Sequence, residues 1–186
     1  MTMMNDTLEG QLREMYGRVA YTHKTHEKMA DGYIARYKLI KRIEIALSAI
    51  SSGSLVIAAL GDSRAGTIAG ALLSTVLLGL LLYFKEASLG EQAQKHTVTA
   101  SKLWGVRERL LSVLVDLTRS GSMDAAAAER DLINEELENI YRGAPRTNAR
   151  AYVAAQNALK HQEELFFSDS ELDHLLPKQL RKASRP

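Results

Sequence analysis

The sequence predicts an all-α membrane protein: a two-helix transmembrane hairpin continued into a cytoplasmic helical bundle. Three observations carry this reading. Two apolar runs, 43–60 and 67–84, are separated by a single short polar stretch, 61–66. Apolar or bulky residues in both flanks recur at alternating steps of four and three, the spacing of a helical seam. Outside these helical patterns no strand signal appears.

The hairpin comes first because everything else is placed by it. At about 1.5 Å per residue each apolar run reaches roughly 27 Å as a helix, close to the thickness of a bilayer's hydrocarbon core. A connection as short as 61–66 leaves room for little but an antiparallel pair. The bland alternative, a buried hairpin in a soluble protein, asks the remaining polar chain to surround two helices that are apolar on every side. Whole-chain averages hide the pattern: 186 residues with a net charge of +2 would suit an ordinary soluble domain. The first apolar run follows a long charged stretch, so it does not read as a cleavable secretion signal. Lys24, Lys28, Arg36, Lys38, Lys41 and Arg42 precede the first run and Lys85 follows the second, whereas the connection has only Arg64 beside Asp62. Basic residues near span ends stay cytoplasmic, so both termini are expected inside and 61–66 outside. Tyr83 and Phe84 read as an interfacial anchor.

In chain order, residues 1–5 are expected to fray, and 1–42 forms a cytoplasmic helix. Its seam runs through Leu8, Leu12, Met15, Val19, Thr22, His26, Met29, Tyr33, Arg36 and Ile40. Past the hairpin, 85–180 continues as the bundle. A long helix over 89–119 carries His96, Leu103, Val106, Leu110, Val113 and Leu117 on its seam and runs antiparallel to the first. Helices with such stripes need partners. The expected partners are other copies, with Leu12, Met15, Val19, His26 and Met29 of one seam and Leu103, Val106 and Leu110 of the other joining subunits into a homo-oligomer. Gly121-Ser122 ends the long helix with turn chemistry. A third helix spans 124–141, with Ile133, Leu137 and Ile140 inward and Glu129, Asp131, Glu135, Glu136 and Glu138 on a solvated face. Thr147 opens a fourth helix with Tyr152, Ala155, Leu159 and Phe166 on one side. Ser168 and Glu171 make a capping box for a short last helix over 172–180, interrupted by Pro177. The basic tail 181–186 is drawn to anionic lipid.

Within the spans, Gly66, Gly70 and Ser74 fall every four residues, and Ser48 and Ser52 share that spacing on the first run. Small residues so placed let helix backbones approach closely in lipid. They serve either the hairpin's own packing or a self-associating, pore-lining face. Glu44, the one acid in a span, either snorkels and pairs with Lys41 or Arg42, or forms a ring at a pore mouth.

Site chemistry is sparse. Cysteine is absent, which removes disulfides, thiolate metal sites and cysteine nucleophiles. His23 and His26 with Glu27 lack the spacing of a zinc protease helix, so helix packing or hydrogen bonding explains them better than a metal. Glu135-Glu136 and Glu163-Glu164 read as solvated faces. Neither a phosphate-binding glycine loop nor a nucleophile elbow occurs. No enzyme, cofactor or nucleic-acid polymer is expected. One constellation suits a phosphorylated ligand: Tyr21, His23, Lys24, Arg36 and Tyr37 on the first helix, with Trp104 and Arg107 on the helix packed against it. The same residues also make an ordinary helix interface.

The order of segments carries a resemblance. Tyr16-Gly-Arg-Val-Ala-Tyr-Thr-His-Lys-Thr-His26, the apolar hairpin, Lys102-Leu-Trp-Gly-Val-Arg-Glu-Arg-Leu-Leu111, Tyr141-Arg-Gly-Ala-Pro145 and Glu171-Leu-Asp-His-Leu-Leu-Pro177 together resemble the SLATT family of bacterial two-transmembrane effectors. The resemblance implies an anti-phage conflict system in which a neighbouring nucleotidyltransferase or sensor detects infection and the effector permeabilises the inner membrane. It implies a cyclic oligonucleotide or a sensor protein as trigger and transfers no catalytic residue. The competing expectation is a passive membrane scaffold that recruits a cytoplasmic partner.

Overall fold

The computed structural model describes residues 8–61, 64–120, 122–165 and 167–182. Expectations for residues 1–5, Asp62, Gly121, Phe166 and the tail end 183–186 lie outside these. Six α-helices follow in order: α1 (Leu8–Gly61), α2 (Arg64–Ala87), α3 (Leu89–Ser120), α4 (Met123–Gly143), α5 (Ala149–His161) and α6 (Asp169–Leu175), with a 3₁₀ turn at Lys178–Leu180. No strand occurs among the described residues.

The seam and the first span form one helix. Helix α1 has 54 residues and reaches roughly 81 Å. Both apolar runs lie inside α1 and α2, and the connection is tighter than the sequence suggested: α1 runs to Gly61 and α2 opens at Arg64. Helices α2 and α3 return antiparallel along α1, the first beside the span and the second beside the seam. The return path is jointed at Ser88, a non-glycine residue with φ of 45°.

Among the described side chains of the two apolar runs, Ser51 and Gly70 alone are buried. Ile45, Ile57, Leu72 and Leu82 are each more than half exposed. A core helix of a soluble protein would be covered; these two are long and apolar enough to cross a membrane.

At the other end α1, α3 and α4 enclose a core of Leu12, Met15, Val19, Leu103, Val106, Leu110, Val113, Ala126, Ile133, Leu137 and Ile140. This corrects the oligomer seam. Leu12, Met15, Val19, His26, Met29, Leu103, Val106 and Leu110 are buried within one chain, because the short hairpin brings α3 onto α1 in register and each stripe covers the other. Leu110→Ala is expected to cost about 3 kcal/mol, as a fully buried leucine does. Denaturant unfolding in an uncharged detergent, followed by circular dichroism, checks this, and a loss below about 1 kcal/mol would argue that the seam is not the core.

Helix α4 packs its Ile133, Leu137 and Ile140 inward, as its periodicity predicts. Its acidic face is less solvated than expected, since Arg109 of α3 holds both Glu129 and Glu136. Asn148 caps α5 by accepting from the Ala151 amide at 2.9 Å, in place of Thr147. The inward face of α5 is the small-residue row Ala151, Ala155 and Ala158, while Tyr152 is half exposed and stacks on Tyr21 at 6.1 Å. The capping box of Ser168 and Glu171 is present at α6.

Candidate functional site, a buried polar layer and its cleft

Above the apolar core, the facing helices change from grease to imidazole. His23 Nδ1 lies 2.9 Å from the Ala100 carbonyl, which can only accept, so His23 donates from that nitrogen. His26 and His96 meet Nδ1 to Nδ1 at 2.8 Å, one donating and the other accepting. Tyr33 stacks on His96 at 5.6 Å. Both paired rings are almost completely buried. Burial, then the neighbouring imidazoles His96 and His23, pushes the His26 pKa down to about 4, and burial lowers that of His96. The pair is therefore neutral at pH 7.

Beside the histidines the layer becomes ionic. Buried Lys24 sits 2.7 Å from Glu27 and also contacts Glu164, whose other oxygen is 3.0 Å from Lys28. Burial works against the Lys24 charge, but hydrogen bonds to Glu164 and Glu27 outweigh it and raise the pKa. Those bonds from Lys24 and Lys28 hold the Glu164 carboxyl below its usual range. Glu164 belongs to the strap after α5, between Glu163 at φ 52° and Leu165 at φ 75°. Two non-glycine residues in the left-handed region are held there by surrounding contacts. The strap, α1 and α3 enclose an open cleft of about 760 Å³ that His23, Lys24, Asp31, Ser101 and Trp104 help to line.

The ligand constellation expected from the sequence is thus divided. His23, Lys24 and Trp104 converge on this cleft. Tyr21 lies in a different groove with Tyr152, because the two sides of α1 face different neighbours. Arg36 turns to a third cleft, beside α5. Tyr37 is exposed under the Lys41 ammonium, 5.8 Å from its ring centre. Arg107 pairs with its neighbour Glu108. Sequence reasoning missed Glu164, which read as a solvated acid, since only tertiary folding brings the strap back to α1. It also missed the His26 and His96 pairing, which the antiparallel register could have supplied.

In the spans, Gly70 is buried inside the hairpin, and Ser74, though exposed, is bonded across it. Ser51 Oγ lies 2.6 Å from Ser74 Oγ and 3.3 Å from the Gly70 carbonyl. A Cβ on Gly70 would stand 3.1 Å from Leu55. These contacts are packing within the hairpin, one of the two roles expected for Gly70 and Ser74. Gly66 lies in the first turn of α2 and is partly buried. Ser48 and Ser52 remain exposed on a flank that α2 leaves uncovered. Glu44 pairs with Lys41 at 2.8 Å.

Two helices long and apolar enough to cross a membrane, closed at one end by a helical head with a polar layer, fit a two-span membrane protein; no cluster of three or more metal-ligating side chains occurs among the described residues. The chain belongs to the SLATT family: the family model described as SMODS and SLOG-associating 2TM effector domain family 4 matches residues 8–171. No curated protein and no solved structure matches it.

Proposed function

We propose that this chain is an oligomeric, non-enzymatic effector that permeabilises the bacterial inner membrane in an anti-phage conflict system. Both termini lie in the cytoplasm in this reading, supported by the basic residues flanking the spans. A nucleotide second messenger or a sensor partner switches it.

The observation that carries the proposal is the uncovered flank of the first span. Lipid covers Ile45 and Ile57 well but offers nothing to the Ser48 and Ser52 hydroxyls, which are exposed beside them. A second copy offers both close packing and hydrogen bonds. Several copies arranged with this flank inward would line a path with hydroxyls and with the Lys41–Glu44 pairs at its mouth. The seams being closed within each chain, assembly falls to the spans and not to the head.

The test is to express the full chain in bacterial cells and follow membrane potential with a voltage-sensitive dye, with and without cyclic oligonucleotides and an infecting phage. Depolarisation under at least one trigger is expected, and Ser48→Leu with Ser52→Leu should suppress it while leaving the protein in the membrane fraction. Unchanged potential under every condition, with the protein in the membrane, overturns the proposal.

A further inference from the structure

Of the clefts in the head, the open one of about 760 Å³ beside the strap is already neutralised. Its Lys24 and Lys28 are bonded to Glu27 and Glu164, with Asp31 on the rim. A smaller cleft of about 230 Å³, between α1 and the first turn of α5, has the opposite character. Lys28, Arg36 and Arg150 line it together with Tyr33 and Asn148, and no acid does. Among the described residues neither Arg36 nor Arg150 is in an ion pair, although surface arginines elsewhere in the chain, such as Arg13, Arg18 and Arg142, hold a carboxylate one turn away. Two guanidinium groups without a carboxylate, set beside an ammonium shared with Glu164, leave the cleft net positive and suited to an anion. Two guanidinium forks and an ammonium suit a phosphoryl group, which takes paired N–H donors from each arginine.

We infer that the cleft between α1 and α5 binds a phosphoryl anion, gripped by Arg36, Arg150 and Lys28. Arg36 stands roughly 10 Å along α1 from the start of the first apolar run, so the group can arrive on a soluble nucleotide or on a phospholipid headgroup. Lys28 is shared: its Nζ is 3.0 Å from Glu164. An anion in the cleft competes with the strap for that lysine and ties α5 to α1. Such binding gives the head a ligand-dependent state. Its use as the trigger rests on the effector reading above; the binding itself does not.

The experiment uses the full chain in an uncharged detergent and in lipid nanodiscs, reading thermal unfolding by circular dichroism. The probes are pyrophosphate and cyclic di-AMP in detergent, and phosphatidylglycerol against phosphatidylcholine in the discs. At saturation a bound phosphoryl probe should raise the midpoint by about 4 °C or more. Arg36→Gln with Arg150→Gln should weaken that binding at least about tenfold, while Arg142→Gln on α4 leaves it unchanged. A shift with the soluble probes assigns a nucleotide; one confined to phosphatidylglycerol discs assigns a headgroup. Both are support. No shift with any phosphorylated probe, or an equal shift in the double variant, overturns the inference. Because binding is read without conductance, its failure is distinguishable from that of the effector proposal: a membrane that depolarises with no probe bound sinks this site alone.

Discussion

Lowering the pH from 8 to 4 is expected to cost the head about 3 kcal/mol of stability, most of it through His26. Its folded pKa, about 4, lies below the ordinary histidine value of 6.5, so the unfolded chain takes the proton first. Stability is full above pH 6.5 and falls as pH drops towards 4, at roughly 1.4 kcal/mol per pH unit. The groups that face His26 explain why folding cannot supply a counter-charge: His96 from α3, His23 from its own helix, and Tyr33 stacked over His96. The neighbouring carboxylates lie elsewhere, with Glu27 on Lys24 and 3.6 Å from His23 Nε2. Urea titrations in an uncharged detergent at pH 8, 6 and 5 measure the slope. Converting both partners, His26→Leu with His96→Leu, should flatten it in this window. An unchanged slope in that double variant would place the proton uptake elsewhere.

The second large effect concerns the spans. Gly70→Leu should separate α2 from α1, because even a Cβ at this position meets Leu55 at 3.1 Å and the Ser51–Ser74 bond lies one turn away. Overpacking of this kind costs about 1–3 kcal/mol or forces a helix to move. In a bilayer the hairpin gains little from hydrophobic drive between its helices, so close contact and interhelical hydrogen bonds hold it together. Cysteines placed at facing span positions would cross-link in the parent and lose most of that yield in Gly70→Leu. Gly79→Leu is the control, since nothing stands within 4 Å of a Cβ there. Equal cross-linking in the two variants would mean that Gly70 does not set the spacing.

Much of the architecture was legible because the hairpin is short and nearly central in its antiparallel pair. Once residues 43–84 fold back on themselves, the register follows: His23 meets Ala100, His26 meets His96 and Ser51 meets Gly70 and Ser74. The seam periodicity identified much of the core, such as Leu12, Met15, Val19 and Leu110, but placed exposed Arg36 on the same stripe and did not give the partners. A three-four stripe reports that a face is covered and is silent on whether the covering helix belongs to the same chain. Glu164 was illegible for a different reason. A carboxylate on a strap shows no periodicity, and its meaning depends on Lys24 and Lys28, far away in sequence. The division of Tyr21, Lys24 and Arg36 among three clefts likewise follows from their angular positions around α1, where adjacent residues point about 100° apart.

The contrast between the unbroken α1 and the articulated α2–α3 pair has a mechanical corollary. One strut is stiff from end to end and its companion bends at Ser88. Tipping the head by about 5° would sweep the far tip of a rod this long through roughly 7 Å, more than a water molecule's width. With its apolar half in a bilayer, the unbroken helix would carry that displacement into the lipid, and the pair jointed at Ser88 would take up part of it. In the proposed effector, leverage of this sort would turn a contact made on the head into relative sliding of the two apolar helices.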